Sequence, residues 1–163
     1  TPTKDAEDIK VENGCAEAVL ADPDAQVEVP GLGDRGPRLI NKRALAGVIE
    51  PRVEEIFSLV QQVIRESGYE EILSSGVVLT GGSCVMPGMV ELGEDIFLKP
   101  VRRGVPHYTG PLADMMAQPY AATVMGLLED ARHERARGYK VATKSGPVKN
   151  IFSRIRDFIV GNF

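Results

Sequence analysis

The residues with the clearest chemical meaning lie between Gly76 and Gly88, which read Gly-Val-Val-Leu-Thr-Gly-Gly-Ser-Cys-Val-Met-Pro-Gly. Val77, Val78 and Leu79 form a short apolar run without alternation, the pattern of a parallel strand buried on both faces. Gly81 and Gly82 then remove the Cβ atoms from a turn, so a flat ligand or another backbone can come close and φ > 0 is allowed. Pro87 and Gly88 open a helical stretch, Met89 to Phe97, which puts the turn at the carboxyl end of a strand with helix N–H groups nearby. Open α/β sheets bind ligands at such places. Strand-to-helix turns use the same residues with nothing bound, so the stretch specifies a place and not yet a ligand.

Other chemically capable groups are sparse. Arg38 and Arg52 carry guanidinium forks that suit carboxylates, and each also reads as solvated surface. His107 stands alone in a Pro- and Gly-rich loop from Pro106 to Gln118, where a hydrogen-bonded surface role is the ordinary one. Cys15 and Cys84 lack Cys-x-x-Cys spacing, which indicates reduced thiols and neither a disulfide nor a zinc site. Gly31 to Gly36 fits Gly-x-Gly-x-x-Gly, but Pro30 and Pro37 bracket it and no apolar helical stripe starts inside it, so it reads as a surface loop. No nucleophile, acid–base pair or metal cluster capable of hydrolysis stands out.

The final stretch, Pro147 to Phe163, is of a different kind. Val148, Ile151, Phe152, Ile155, Phe158, Ile159 and Phe163 recur at intervals of three and four, with Lys149, Arg154 and Arg156 on other faces. An apolar stripe flanked by cations suits an in-plane membrane helix; docking on the chain's own domain is the alternative. No apolar run of spanning length occurs, so membrane contact is expected to be peripheral.

The 163 residues suit one domain or two small ones, and 43% hydrophobic with 26% charged residues is an ordinary composition with room for a core. A formal net charge of −4 argues against nucleic acid as main partner. Acids crowd the first quarter and the middle, whereas the chain from Arg132 carries a basic excess that suits an anionic surface.

Several elements must position these groups. Asp5 is expected to cap a helix through Ala6, Ile9 and Lys10 that stops at Gly14. Val27-Glu28-Val29 alternates as a strand. Asn41 is expected to cap a helix with Leu45, Val48 and Ile49 inward; Pro51 either kinks it or begins a second piece, and Val53, Ile56, Val60, Val63 and Ile64 continue the stripe to Gly68. Lys99 to Val105 reads as a further strand, Pro119 to Leu128 as a helix with small residues Ala121, Ala122 and Gly126, and Ala131 to Gly146 as a polar linker.

Taken in order, these segments resemble the actin, Hsp70 and sugar-kinase superfamily. Gly76 to Gly88 resembles its adenosine motif, Asp5 to Gly14 its helix beginning Ala-Glu-x-Ile-Lys, and Pro119 to Leu128 its second connecting helix. Within the superfamily the chain is most similar to the FtsA family of bacterial cell-division proteins, nearly end to end, including Val27 to Pro30, Ile49 to Arg52, Ser75 to Gly82, Val101 to Pro106 and the amphipathic tail. The resemblance implies an α/β fold, the C-terminal half of an actin/Hsp70-like (ribonuclease H-like) ATPase with a C-terminal amphipathic helix. It divides the chain into subdomain 2B (residues 1–67), subdomain 2A (68–142) and a linker with a membrane-targeting helix (143–163). The abrupt start at Thr1 fits the loss of two phosphate hairpins with the N-terminal half.

The resemblance further implies ATP as cofactor, with Glu7, Lys10, Gly81, Gly82, Ser83 and Met86 around the nucleoside and Mg²⁺ held mainly by the N-terminal half. No catalytic residue is carried over, and activity would be at most a weak ATPase. Val85 stands where Hsp70 proteins have an arginine against adenine, so the base would be held by apolar contact. Arg38 and Arg52 would take the acidic C-terminal tail of FtsZ. Ile151, Phe152, Ile155, Phe158, Ile159 and Phe163 would enter the membrane. The implied role is an adaptor that polymerises, meets other division proteins and holds FtsZ filaments at the cytoplasmic face of the bacterial inner membrane, at the division septum. A pilus adaptor like PilM and a metabolite kinase of the same superfamily are the rival readings.

Overall fold

A computed structural model describes residues 1–138. Residues Thr1–Met125 form one compact unit, and a second begins at Gly126. The residues expected to enter the membrane, Ile151 to Phe163, lie outside the described residues.

Helix α1 spans Thr3–Asn13 and ends on Gly14. Pro2 takes the N-cap position without a side-chain cap, and Asp5 lies inside the first turn. The expected Asp5 cap is therefore corrected: its carboxylate acts on the positive end of the helix and not as the capping group. Strand β1, Gln26–Val29, alternates as expected, burying Val27 and Val29, and packs on α1. It pairs antiparallel with β2, Arg38–Asn41, in the register Val29↔Arg38 to Gln26↔Asn41. The Gly31–Gly36 run is the exposed loop of this hairpin.

Asn41 ends β2 and caps α2, its Oδ1 accepting from the Arg43 N–H at 2.7 Å. Helix α2 then runs unbroken over Lys42–Glu66 with Pro51 inside it. Pro51 and Gly47, the residue whose carbonyl loses its donor, are both exposed, so water can serve that carbonyl. Ala46, Val53, Phe57 and Gln61 are the buried positions of α2, with Ile49 and Ile64 half-buried. The expected stripe was too wide. Val48 is 75% exposed, and Ile56, Val60 and Val63 are exposed as well. Apolar residues occupy two faces of this helix, and periodicity alone does not say which one meets the core.

The expected adenosine-type segment forms β3 (Val77–Leu79), a 3₁₀ turn (Gly82–Val85), α3 (Met89–Phe97) and β4 (Val101–Arg103). Strands β3 and β4 pair parallel, Val77↔Val101 to Leu79↔Arg103. β3 is not buried on both faces, however: Val78 is 49% exposed. Among the described residues the sheet has two strands and α3 packs against β4, so the cover that a parallel sheet normally has on both faces is incomplete here.

The main core joins α2 to this unit through Ala16, Val53, Phe57, Met89, Leu92, Phe97 and Val101. The Phe57 and Phe97 rings meet at 5.3 Å in a tilted arrangement. A smaller cluster gathers Cys15, Ala21 and Ala46. The expected 2B–2A junction at residues 67 and 68 falls at the end of α2, and the core includes residues from both sides of it.

Pro119–Ala121 forms a 3₁₀ turn that leads into α4, Ala122–Ala136. The start of the expected linker is thus helical as far as Ala136. Charged pairs at helical spacing explain this: Glu129 accepts from Arg132 (3.4 Å) and lies 3.2 Å from His133, with Glu134 near Arg137 (3.7 Å).

Glu17 sits among acids. Partial burial, then Asp95, Glu91 and Glu50, raise its carboxyl above the ordinary glutamate range. The folded chain therefore holds this proton more tightly than the unfolded chain, and a penalty on folding develops as pH rises through the raised value. Glu17→Gln is expected to raise the melting temperature at pH 7, with the gain shrinking as pH falls below the raised value and gone below about 4.3; thermal scans of both proteins from pH 3.5 to 7.5 check the sign and the window.

Candidate nucleotide cleft

The turn after β3 is held from two sides. The Thr80 hydroxyl lies 3.0 Å from the Gly104 carbonyl and 3.4 Å from that of Pro119, and the Gly81 N–H donates to Pro119 at 3.0 Å. Arg103 on β4 donates to the Met86 carbonyl at 3.3 Å. Gly81 has φ 92 and ψ 171, a region that only glycine populates readily. Gly82 has no such requirement: a Cβ there would meet only Tyr120 Cβ, at 3.9 Å.

Helix α1 is brought to this turn by a close approach. A Cβ on Gly14 would stand 3.0 Å from Met86 Sδ and 3.3 Å from Ile49 Cδ1, besides striking the Lys10 carbonyl. Two residues on, the Ala16 N–H donates to the Pro87 carbonyl at 2.8 Å, and Ala16 is fully buried. The end of α1 is thereby fixed against both the turn and α2.

A cavity of about 440 Å³ opens between these elements, lined by Lys10 of α1, by Val48, Ile49, Arg52, Val53, Ile56 and Phe57 of α2, and by Ser83, Met86 and Met89. Its size falls within the about 300–1,000 Å³ of small-molecule sites, and its walls are mostly apolar with two cations and a hydroxyl, as such sites are. Three of the sequence-derived candidates, Lys10, Ser83 and Met86, meet here. Glu7 is adjacent through Lys10, whose Nζ donates to both its oxygens at 2.8 and 2.6 Å. Gly81 and Gly82 shape the turn and do not line the cavity.

The two arginines part company. Arg52 lines the cavity and is paired with Glu55 one turn on, whereas Arg38 is exposed on β2 and lies outside the lining. Sequence reading counted Val48 and Ile56 with the core stripe of α2 and assigned no site role to them or to Met89; the signal for the first two was the second apolar face of α2. The Cys84 thiol beside the turn is buried, and burial raises its pKa against the opposing pull of Arg103. It is held as a protonated thiol, so it acts as a small apolar side chain and not as a nucleophile. Among the described residues no group of three or more His, Cys, Asp or Glu could hold a metal ion.

The contrast between the two glycines gives a direct test. Gly81→Ala is expected to cost about 1–3 kcal/mol, because alanine must enter a glycine-only region, whereas Gly82→Ala meets ordinary contact and should cost less. Urea unfolding of the two variants side by side measures the difference, and equal losses would show that the Gly81 conformation carries no strain.

Comparison with known proteins follows the same segments. The family model described as "Cell division protein FtsA" matches residues 1–126. The Cell division protein FtsA of Pseudomonas aeruginosa is 41% identical over an alignment that covers 100% of this chain and 40% of that protein. Those of Neisseria meningitidis and Escherichia coli K12 are 42% and 38% identical, over 80% and 85% of this chain and 32% and 34% of theirs. The chain thus spans about two-fifths of the length of the Pseudomonas relative. An actin-like turn with α1 set against it, matched along most of the chain to these relatives, places this protein in the FtsA family of cell-division proteins.

Proposed function

We propose that the protein is an ATP-binding, actin-like adaptor that polymerises and holds FtsZ filaments at the cytoplasmic face of the inner membrane, at the division septum. The observation that carries the nucleotide part is the meeting of Lys10 with Ser83 and Met86, distant from it in sequence, around one apolar cavity. Ile49, Val53 and Met86 offer flat apolar contact to a purine, in keeping with the valine at position 85 in place of a charged stacking partner. Ser83 supplies a hydroxyl at the rim, and Lys10 a cation. The Glu7–Lys10 pair is 60% and 37% exposed, so it contributes about 0–1 kcal/mol and leaves Lys10 free to turn to a ligand. Bound ATP would bring phosphates and Mg²⁺, whose ligands we place outside the described residues.

Val48→Glu tests this reading without confusing it with folding, since the side chain lines the cavity and is 75% exposed, and a carboxylate there would repel the phosphates of ATP. Isothermal titration on the full-length protein is expected to show ATP affinity reduced by about tenfold or more, a loss of roughly 1.4 kcal/mol, with the melting temperature kept. Unchanged affinity would remove the cofactor assignment.

For the partner, Arg38 and Arg52 are the cations we propose for the carboxylates of the FtsZ tail. For the membrane, the proposal rests on the sequence of residues 147–163. None of the described helices is long and apolar enough to cross a bilayer. Seven large apolar side chains partly immersed at about 1 kcal/mol each give a gross gain on the order of 7 kcal/mol. Ordering the segment consumes part of it, so a single copy binds reversibly and a filament stays attached through many tails. Phe158→Glu is expected to abolish flotation with anionic liposomes and leave the melting temperature unchanged. Absent flotation in the unaltered protein, with a melting temperature that falls in the variant, would instead show the tail docked on its own domain.

A further inference from the structure

The turn that carries Ser83 and Met86 is held differently at its two ends. At the start, Thr80 and Gly81 are tied to the carbonyls of Gly104 and Pro119. At the end, the Met86 carbonyl accepts from the Met89 N–H of its own segment at 3.4 Å and from the Arg103 Nη2 of β4 at 3.3 Å. Among the described residues, Arg103 is the one side chain that hydrogen-bonds to residues 81–87. Its charge also reaches the buried Cys84 thiol, where it opposes the effect of burial, so the guanidinium stands beside the turn from Cys84 to Met86.

The sheet does not require this side chain. Arg103 pairs with Leu79 in the β3–β4 ladder through its backbone, and the residue is exposed. A neutral residue would keep the ladder and lose the bond to Met86, which is charge-assisted and so stronger than a neutral one. Met86 is where such a bond has an effect: its side chain lines the cavity, and its Sδ would stand 3.0 Å from a Cβ on Gly14. Methionine turns about three bonds, so the wall it supplies is only as well defined as the backbone that carries it.

We infer that Arg103, which lies outside the cavity lining, is a positioning residue for it: its bond to the Met86 carbonyl fixes the end of the turn and with it the Met86 wall. The setting of Met86 stands by itself, whereas its consequence for ATP rests on the nucleotide reading given above. A wall formed before the ligand arrives lowers the ordering cost of binding, and its loss is felt mainly in dissociation.

Full-length protein with isotope-labelled methionine methyl groups tests this by NMR, the Met86 resonance being assigned through Met86→Leu. In the absence of nucleotide, Arg103→Leu is expected to move the Met86 methyl toward the position of free methionine while the melting temperature is kept. Arg103→Lys, which retains a cationic donor, should bring the resonance back. In stopped flow, a fluorescent ATP analogue should leave Arg103→Leu about three- to tenfold faster than the unaltered protein, and Arg103→Lys at close to the original rate. An unmoved Met86 methyl in Arg103→Leu overturns the inference. A methyl that moves only together with a collapse of the melting temperature in Arg103→Leu and stays displaced in Arg103→Lys also overturns it, because the side chain would then serve the fold as a whole. Unchanged dissociation from Arg103→Leu, with the methyl displaced, overturns the role in the cavity. If the unaltered protein takes up no nucleotide, the cofactor reading falls, and the methyl resonance alone decides whether Arg103 sets Met86.

Discussion

The arrangement depends on the few atoms where the end of α1 meets the turn before α3. Gly14 lies against Met86 and Ile49, a Cβ there would strike the Lys10 carbonyl, and the Ala16–Pro87 hydrogen bond fixes the register two residues later. A neutral backbone hydrogen bond contributes about 1 kcal/mol net, yet breaking it inside a closed contact leaves a buried donor unsatisfied and costs about 1–3 kcal/mol. Ala16, completely buried, also joins the main core beside Val53 and Met89. Through this one contact α1, α2 and the turn are set in place together, and the cavity is the space left between them.

The packing of α2 explains why one helix can serve as both core and site wall. Its buried positions, Ala46, Val53, Phe57 and Gln61, face α3 and the segment after α1, while Val48, Arg52 and Ile56 stand one step around the helix. At its far end Gln61 donates to Glu70 at 2.6 Å and Arg65 joins at 3.2 Å, so the helix is tied down by polar contact where the apolar core ends. The cavity wall therefore belongs to a helix anchored along its length, and a ligand there meets a surface that is already formed.

Much of this was legible from residue types. The apolar run and Gly-Gly of β3, the Asn41 cap and the bounds of α3 follow from local rules and were read correctly. The two-faced pattern of α2 was not resolved, because Val48, Ile56, Val60 and Val63 are as apolar as the residues that are buried, and only tertiary contact separates them. The Asp5 cap failed for a different reason: the helix starts at Thr3, and an acid in the first turn satisfies the dipole as well as a cap would. Within the cleft, the turn could be seen in sequence but its far wall could not. Nothing local in Ile49 or Met86 announces that Gly14 brings them together.

The same contact between distant segments has a kinetic side. Strand β3, α3 and β4 lie within one short stretch, so their contacts close small loops, whereas joining Ala16 to Pro87 closes a loop through the hairpin and the whole of α2. Long closures are entropically dearer and tend to be made after local structure has formed. A contact made after the rate-limiting step hardly alters how fast the chain folds and acts instead on how slowly it comes apart. Whatever occupies the space beside Gly14 and Met86 is therefore expected to lengthen the lifetime of the folded molecule more than it hastens its formation.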